Sequence, residues 1–188
     1  MQGRSSFAAM VAALAFGAPA LFAATGAQAQ WTMVDPCDLL TAQEVSQVIG
    51  VAVEAGDKTN NGITEDGAVS TTCVWIGKAD AATPFDPKLP MGGRAFAILN
   101  VMAWPGGPNA ANKFLESFQK AFEDKDIPSE PVPVSVGADN AIWWGDGIAA
   151  RKNSISFGVS VAQAGDRATR KPKAEALAKL IASRVAKL

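Results

Sequence analysis

The chain has 188 residues, with 17 Lys and Arg against 18 Asp and Glu and a formal charge of −1. That balance argues against nucleic acid and against a polybasic membrane anchor, because both depend on clustered positive charge. The chain contains no histidine and no tyrosine, which excludes Ser-His-Asp and Cys-His nucleophile activation, histidine-ligated zinc, copper or haem, and phenolic acid-base chemistry.

Met1 to Ala29 carries a lone Arg4, an apolar stretch from Phe7 to Ala24 broken by Gly17 and Pro19, and Ala27-Gln28-Ala29 before Gln30. This is the layout of a secretory signal peptide of bacterial type; the apolar stretch is too short and too interrupted for a membrane span. Residues 1–29 are therefore expected to be a cleaved signal peptide and 30–188 a single secreted domain, periplasmic or released, with no membrane span after cleavage. The remaining 159 residues carry a charge of −2, since Arg4 leaves with the leader. A domain of that size buries enough surface to hold a core without a metal.

Cys37 follows Asp35-Pro36 and lacks the small apolar residues that precede a lipidated cysteine, which argues against a lipoprotein. Cys37 and Cys73 pair in only one way, and an exported chain lets such a disulfide persist. On the chain-entropy account, closing a loop of that length stabilises by about 3 to 4 kcal/mol. The alternative, a catalytic thiol, has neither an activating histidine nor a C-x-x-C partner.

Thr41-Ala42-Gln43-Glu44 reads as a capping box, so a short helix is expected from Thr41 to Gly50, with Val45, Val48 and Ile49 on its apolar side. A short extended Val51 to Val53 follows. Glu54 to Ser70, rich in Gly, Asp, Asn and Thr, reads as a long exposed loop. Thr71 to Ile76 reads as a strand from its β-branched and aromatic content, and Lys78 to Gly93 as a second loop. Arg94 to Trp104 reads as a long, largely buried strand. Asn109 is expected to cap a second helix running to about Lys125, with Phe114, Phe118 and Phe122 as a core-facing stripe.

Asp126 to Pro133 reads as a Pro-rich connection, followed by short strands at Val134 to Val136, Ala141 to Trp144, Gly147 to Lys152 and Ile155 to Ala162, the last two joined through Asn153-Ser154. Gln163 to Arg170 reads as a polar loop. A last helix begins near Pro172, with Ala176, Leu177, Leu180, Ile181, Val185 and Leu188 as its apolar face and Lys173, Lys179, Arg184 and Lys187 as its solvated face.

Runs of strands between helices point to an α+β fold, an antiparallel sheet with helices packed on one face. The segments Cys37 to Trp104 and Asn109 to Ala162 each read as a helix followed by strands, which leaves a diverged internal repeat open beside a unique arrangement.

The run Asp35-Pro36-Cys37-Asp38-Leu39-Leu40-Thr41-Ala42-Gln43-Glu44-Val45, then Ile49-Gly50, then Cys73-Val74-Trp75, resembles a family of small secreted proteins and lipoproteins of unknown function abundant in actinobacteria. Val136-Gly137-Ala138-Asp139-Asn140-Ala141 is similar to that family's Gly-x-Gly-Asp-x-Ala turn, with Ala138-Asp139 where Gly-Asp stands. A similar arrangement of helices on an antiparallel sheet occurs in extracytoplasmic sensor domains of bacterial kinases. The resemblance implies the Cys37 to Cys73 bridge and the sheet topology, and it implies no reaction.

Asp57-Lys58-Thr59-Asn60-Asn61-Gly62 has a faint likeness to a calcium loop, but Ala68 stands where the bidentate Glu belongs, and no metal site is expected. Glu65-Asp66, Asp124-Asp126 and Asp139 with Asp146 are the carboxylate pairs on which a glycosidase-type reaction would depend. Trp143 and Trp144 are neighbours in a strand, so they point to opposite faces and only one joins the core under the helices. The other lies on the open face or under a loop; exposed near Asp139 and Asp146, it would offer a platform for a glycan, peptide or protein. These four residues are the candidate binding site, and no catalytic residue or cofactor is assigned. The leading expectation is a non-catalytic protein-interaction or sensor-like module meeting a periplasmic or cell-envelope protein. A small-ligand or cell-wall-glycan binder is the alternative, ahead of a histidine-free hydrolase.

Overall fold

The computed structural model describes residues 33–79, 86–162 and 168–188. The leader expected over 1–29 lies outside the described residues, as do parts of the loops expected at Lys78 to Gly93 and Gln163 to Arg170.

Asp35 accepts from the Cys37 backbone N–H and caps α1 (Pro36–Leu39). Thr41 caps α2 (Ala42–Ile49) with both halves of the capping box in place, its hydroxyl accepting from the Glu44 amide while the Glu44 carboxylate accepts from the Thr41 amide. Gly50 ends the helix at φ 83°, a left-handed conformation that glycine adopts without Cβ strain. The chain then forms β1 (Asp57–Ile63), β2 (Val69–Ile76) and β3 (Phe96–Ala103), with a turn of 3-10 helix at Pro90–Gly93 before β3. The second half runs α3 (Gly107–Glu123), β4 (Val132–Pro133), β5 (Asn140–Trp143), β6 (Gly147–Lys152), β7 (Ile155–Ala162) and α4 (Arg170–Val185).

All seven strands join one sheet in the order β1-β2-β3-β7-β6-β5-β4, and every pairing is antiparallel. The α+β class is therefore as expected. The two halves meet where β3 pairs with β7 over eight residues, from Phe96 opposite Ala162 to Ala103 opposite Ile155.

Side chains alternate across a strand, and this sorts the sheet into two unlike faces. On one, Cys73, Trp75, Leu99, Val101, Ile148, Phe157 and Val159 join Leu40, Val45 and Ile49 of the first two helices and Leu177, Ile181 and Val185 of α4 in a single buried core. Cys37 and Cys73 form the expected disulfide, Cα atoms 5.4 Å apart, tying α1 to β2 inside that core. On the opposite face Ser156, Gly158 and Ser160 of β7 alternate with the core residues, and α3 crosses there: a Cβ on Gly158 would lie 3.3 Å from the Phe114 ring, so the glycine admits that ring to the sheet. Helices on one face thus describes α1, α2 and α4, while α3 lies on the other, with Ala68, Trp104 and Ala111 as a small second cluster.

Several elements differ from expectation for identifiable reasons. The loop expected over Glu54 to Ser70 contains β1, an edge strand exposed along nearly all its length, whose polar run shows no alternation because neither face is covered. The calcium-like Asp57 to Gly62 is part of this strand, paired with β2 from Asp57 opposite Val74 to Gly62 opposite Ser70. Helix α3 starts at Gly107 and not from an Asn109 cap. Its Phe114, Phe118 and Phe122 are half-buried, because only its first turns reach a closed cluster. The strand expected at Val134 to Val136 is a two-residue pairing at Val132–Pro133. On α4, Ala174, Ala178 and Ala182 complete the buried face and Leu188 is exposed. Arg184 and Lys173 are not merely solvated: Arg184 binds Glu44 and the Leu39 carbonyl, and Lys173 donates to the Ile49 carbonyl at 2.9 Å.

Candidate functional site

Strand β5 turns the two neighbouring tryptophans to opposite sides of the sheet. Trp143 lies opposite Ile148 in the β5–β6 ladder and packs against the main core. Trp144 begins the turn to β6, where its backbone N–H donates to the Gly147 carbonyl at 3.1 Å. Its ring stands on the α3 side, stacked on Phe118 with centroids 5.5 Å apart and planes 30° apart. Gly147 makes room for it: a Cβ there would lie 3.1 Å from the indole nitrogen.

Trp144 is one wall of a groove of about 380 Å³. Leu89, Pro90 and Gly93, from the turn before β3, line it with Phe96 of β3 and Ser160, Val161 and Ala162 of β7. Arg94, Asp146 and Arg170 also line it. The groove is thus mainly apolar with charges gathered at a few positions, the ordinary composition of a ligand site, and its volume falls in the range such sites occupy. Beyond it, the helix-free part of the sheet continues the apolar surface in two cross-strand pairs, Ile76 with Phe96 and Val74 with Ile98, all four half-buried.

Asp146, in the β5–β6 turn, accepts from Arg170 at the start of α4 at 3.1 Å. The Nε of Arg170 is buried and has no hydrogen-bond acceptor. Arg94 donates through Nε to the Met91 carbonyl at 3.4 Å and through Nη1 to the Gly77 carbonyl at 3.3 Å.

Asp139 has a different place. It sits at the far end of β5, where its carboxylate accepts from Arg151 at 3.0 Å, Lys152 at 2.9 Å and the Asn153 amide at 2.8 Å. The Asn153 amide and the Lys152 ammonium hold this carboxyl below the usual range for aspartate. Asn153 has φ 54°, so Asp139 clamps the β6–β7 turn in a conformation that few side chains adopt. The structure therefore brings Trp144 and Asp146 together, sends Trp143 to the other side, and leaves Asp139 out of the groove. Trp143 and Asp146 also line a second hollow of about 380 Å³ with Pro128, Ser129, Gly145, Ala168 and Lys171.

Phe96, Leu89, Arg94 and Arg170 escaped the sequence reading. Phe96 belongs to a strand apolar at nearly every position, so its periodicity does not say which residues face the groove. The arginines carry no motif. The half-apolar stripe of α3 was the available signal for Phe118.

Among the described residues no three His, Cys, Asp or Glu side chains gather into a metal-binding group, and no helix is long and apolar enough to cross a membrane. No family model matches the chain, and no curated protein matches it either.

Proposed function

We propose that the chain is an exported, non-catalytic binding protein that holds a small, largely apolar ligand in the groove beside Trp144. The observation that carries this reading is the groove itself, with Leu89, Phe96 and Trp144 as apolar walls and the Trp144 ring braced by Phe118. A concave, mainly apolar site with a few charges suits a small ligand better than a protein partner, which a flat face with a projecting tryptophan would favour. Asp146 is the one carboxylate lining the groove among the described residues, and Asp139 is committed elsewhere. The carboxylate pair needed for a glycosidase-type reaction is thus not assembled there. Titration with the neutral fluorophore N-phenyl-1-naphthylamine tests the reading: the wild type is expected to bind it saturably, and a folded Trp144→Ala variant to lose that binding.

The leader layout over 1–29 and the disulfide support a periplasmic or secreted location. N-terminal sequencing of protein recovered outside the cytoplasm is expected to start at Gln30. The Pro-Cys and Cys-x-Trp segments that carry part of the resemblance to small secreted proteins are joined by the disulfide, which supports placing the chain beside them.

The half-buried Val74, Ile76 and Ile98 support a second reading, in which a cell-envelope protein docks on the helix-free part of the sheet. Ile98→Asp is expected to abolish such docking and to leave probe binding at Trp144 intact.

A further inference from the structure

Among the described residues, two arginines and one carboxylate line the groove. Asp146 accepts from Arg170, and this leaves the charge of Arg94 without a carboxylate partner among the described residues. Of the five N–H donors of a guanidinium, Arg94 uses two, both on backbone carbonyls, which do not neutralise it. Arg170 adds a second guanidinium to the lining, its Nη1 held by Asp146. A guanidinium is charged at any pH a protein survives, and its planar fork matches the paired oxygens of carboxylate, sulfonate or phosphate. The apolar walls, Leu89, Phe96 and Trp144, have no polar atom to offer a ligand except the indole N–H.

We infer that the ligand is an anionic amphiphile, a small molecule whose apolar body lies against Phe96 and Trp144 and whose acidic head meets Arg94 and Arg170. This inference rests on the groove being a binding site, and it adds the sign of the ligand's charge. Asp146 sets a limit on the attraction, because it holds part of Arg170. Removing that carboxylate frees the guanidinium for the ligand.

The test compares two probes with one skeleton, the neutral N-phenyl-1-naphthylamine and the sulfonate 1-anilinonaphthalene-8-sulfonate, on the mature chain at low and moderate salt. The wild type is expected to bind the sulfonate roughly tenfold more tightly, the scale of one charge-assisted hydrogen bond. In Arg94→Gln the preference, read as the ratio of the two affinities in that variant, is expected to fall to about threefold or less, while Arg94→Lys keeps part of it. Asp146→Asn provides a measurement independent of folding at Arg94 and is expected to increase the preference. Equal affinity of the wild type for the two probes would overturn the inference and leave the groove as a neutral apolar site. A preference unaltered by both Arg94→Gln and Asp146→Asn would overturn it as well. If neither probe binds in a manner that depends on Trp144, the site itself fails, a result separate from either of these.

Discussion

Trp144 and Phe118 stack across the gap between the β5–β6 turn and α3, with ring centroids 5.5 Å apart. The contact gives the half-buried stripe of α3 a purpose that packing on the main core does not, because Phe118 supports the groove wall from behind. Phe118 in turn meets Phe114 edge-on at 5.2 Å, and Phe114 reaches the sheet over Gly158. The groove is thereby tied to the sheet through three aromatic rings.

Phe118→Ala is therefore expected to lower stability by about 1 kcal/mol beyond the loss of buried area, the worth of one aromatic pair. It should also weaken binding of the neutral naphthylamine probe, although Phe118 is not among the residues lining the groove. Urea unfolding and probe titration on the same preparation measure both. Unchanged probe affinity would show that Trp144 keeps its place without its neighbour.

The ion pair between Glu44 and Arg184 joins α2 to α4. Hydrogen bonding from the Arg184 guanidinium, helped by the Thr41 amide, holds the Glu44 carboxyl down at about 2, against an ordinary value of 4.5. A folded-state value below the unfolded one means that the stabilisation is present above pH 4.5 and is lost as pH falls toward 2. With both side chains partly open to water, about 1 kcal/mol is expected. Glu44→Gln should thus be less stable than the wild type at pH 7, and the two should converge near pH 2 in urea titrations. An equal gap at both pH values would contradict the assignment.

Trp104 donates from its indole nitrogen to the Ser156 hydroxyl at 2.7 Å, and both residues are buried. Ser156→Ala leaves that donor without a partner and is expected to cost about 1 to 3 kcal/mol. Thermal or chemical unfolding checks the value. Ser156→Thr, which keeps a hydroxyl, should recover part of it.

Reducing the Cys37–Cys73 bond, or replacing both residues with Ala, opens a loop spanning a sequence separation of 36. The expected loss is about 3 to 4 kcal/mol, read as a lower urea midpoint in reductant. Probe binding should survive in whatever fraction stays folded, since the bridge ties α1 to the face of the sheet opposite Trp144.

How far the sequence carried this reading differs from element to element. The capping box at Thr41 to Glu44 states its own geometry, and the alternation in Ile155 to Ala162 distinguishes the core face from the open face. Strand β1 was hidden because an edge strand held by backbone pairing alone needs no apolar pattern. Asp139 and Asp146 are only seven residues apart in the sequence, yet a strand rising about 3.3 Å per residue carries them to opposite ends of β5. The opposed directions of Trp143 and Trp144 followed from strand geometry alone. The groove did not, because its walls come from β3, β7 and the β5–β6 turn, which only the β3–β7 and β6–β7 pairings bring together.

The most direct test of a binding site in the groove is a two-dimensional nitrogen–proton spectrum of the tryptophan indoles, recorded while N-phenyl-1-naphthylamine is added to residues 30–188. The sequence has five tryptophans, and of these Trp75 and Trp104 are buried away from the groove. The Trp144 indole resonance, assigned by its loss in Trp144→Ala, is expected to shift saturably while those of Trp75 and Trp104 stay in place. A spectrum in which Trp144 does not move, or in which Trp75 and Trp104 move with it, would contradict a binding site in the groove.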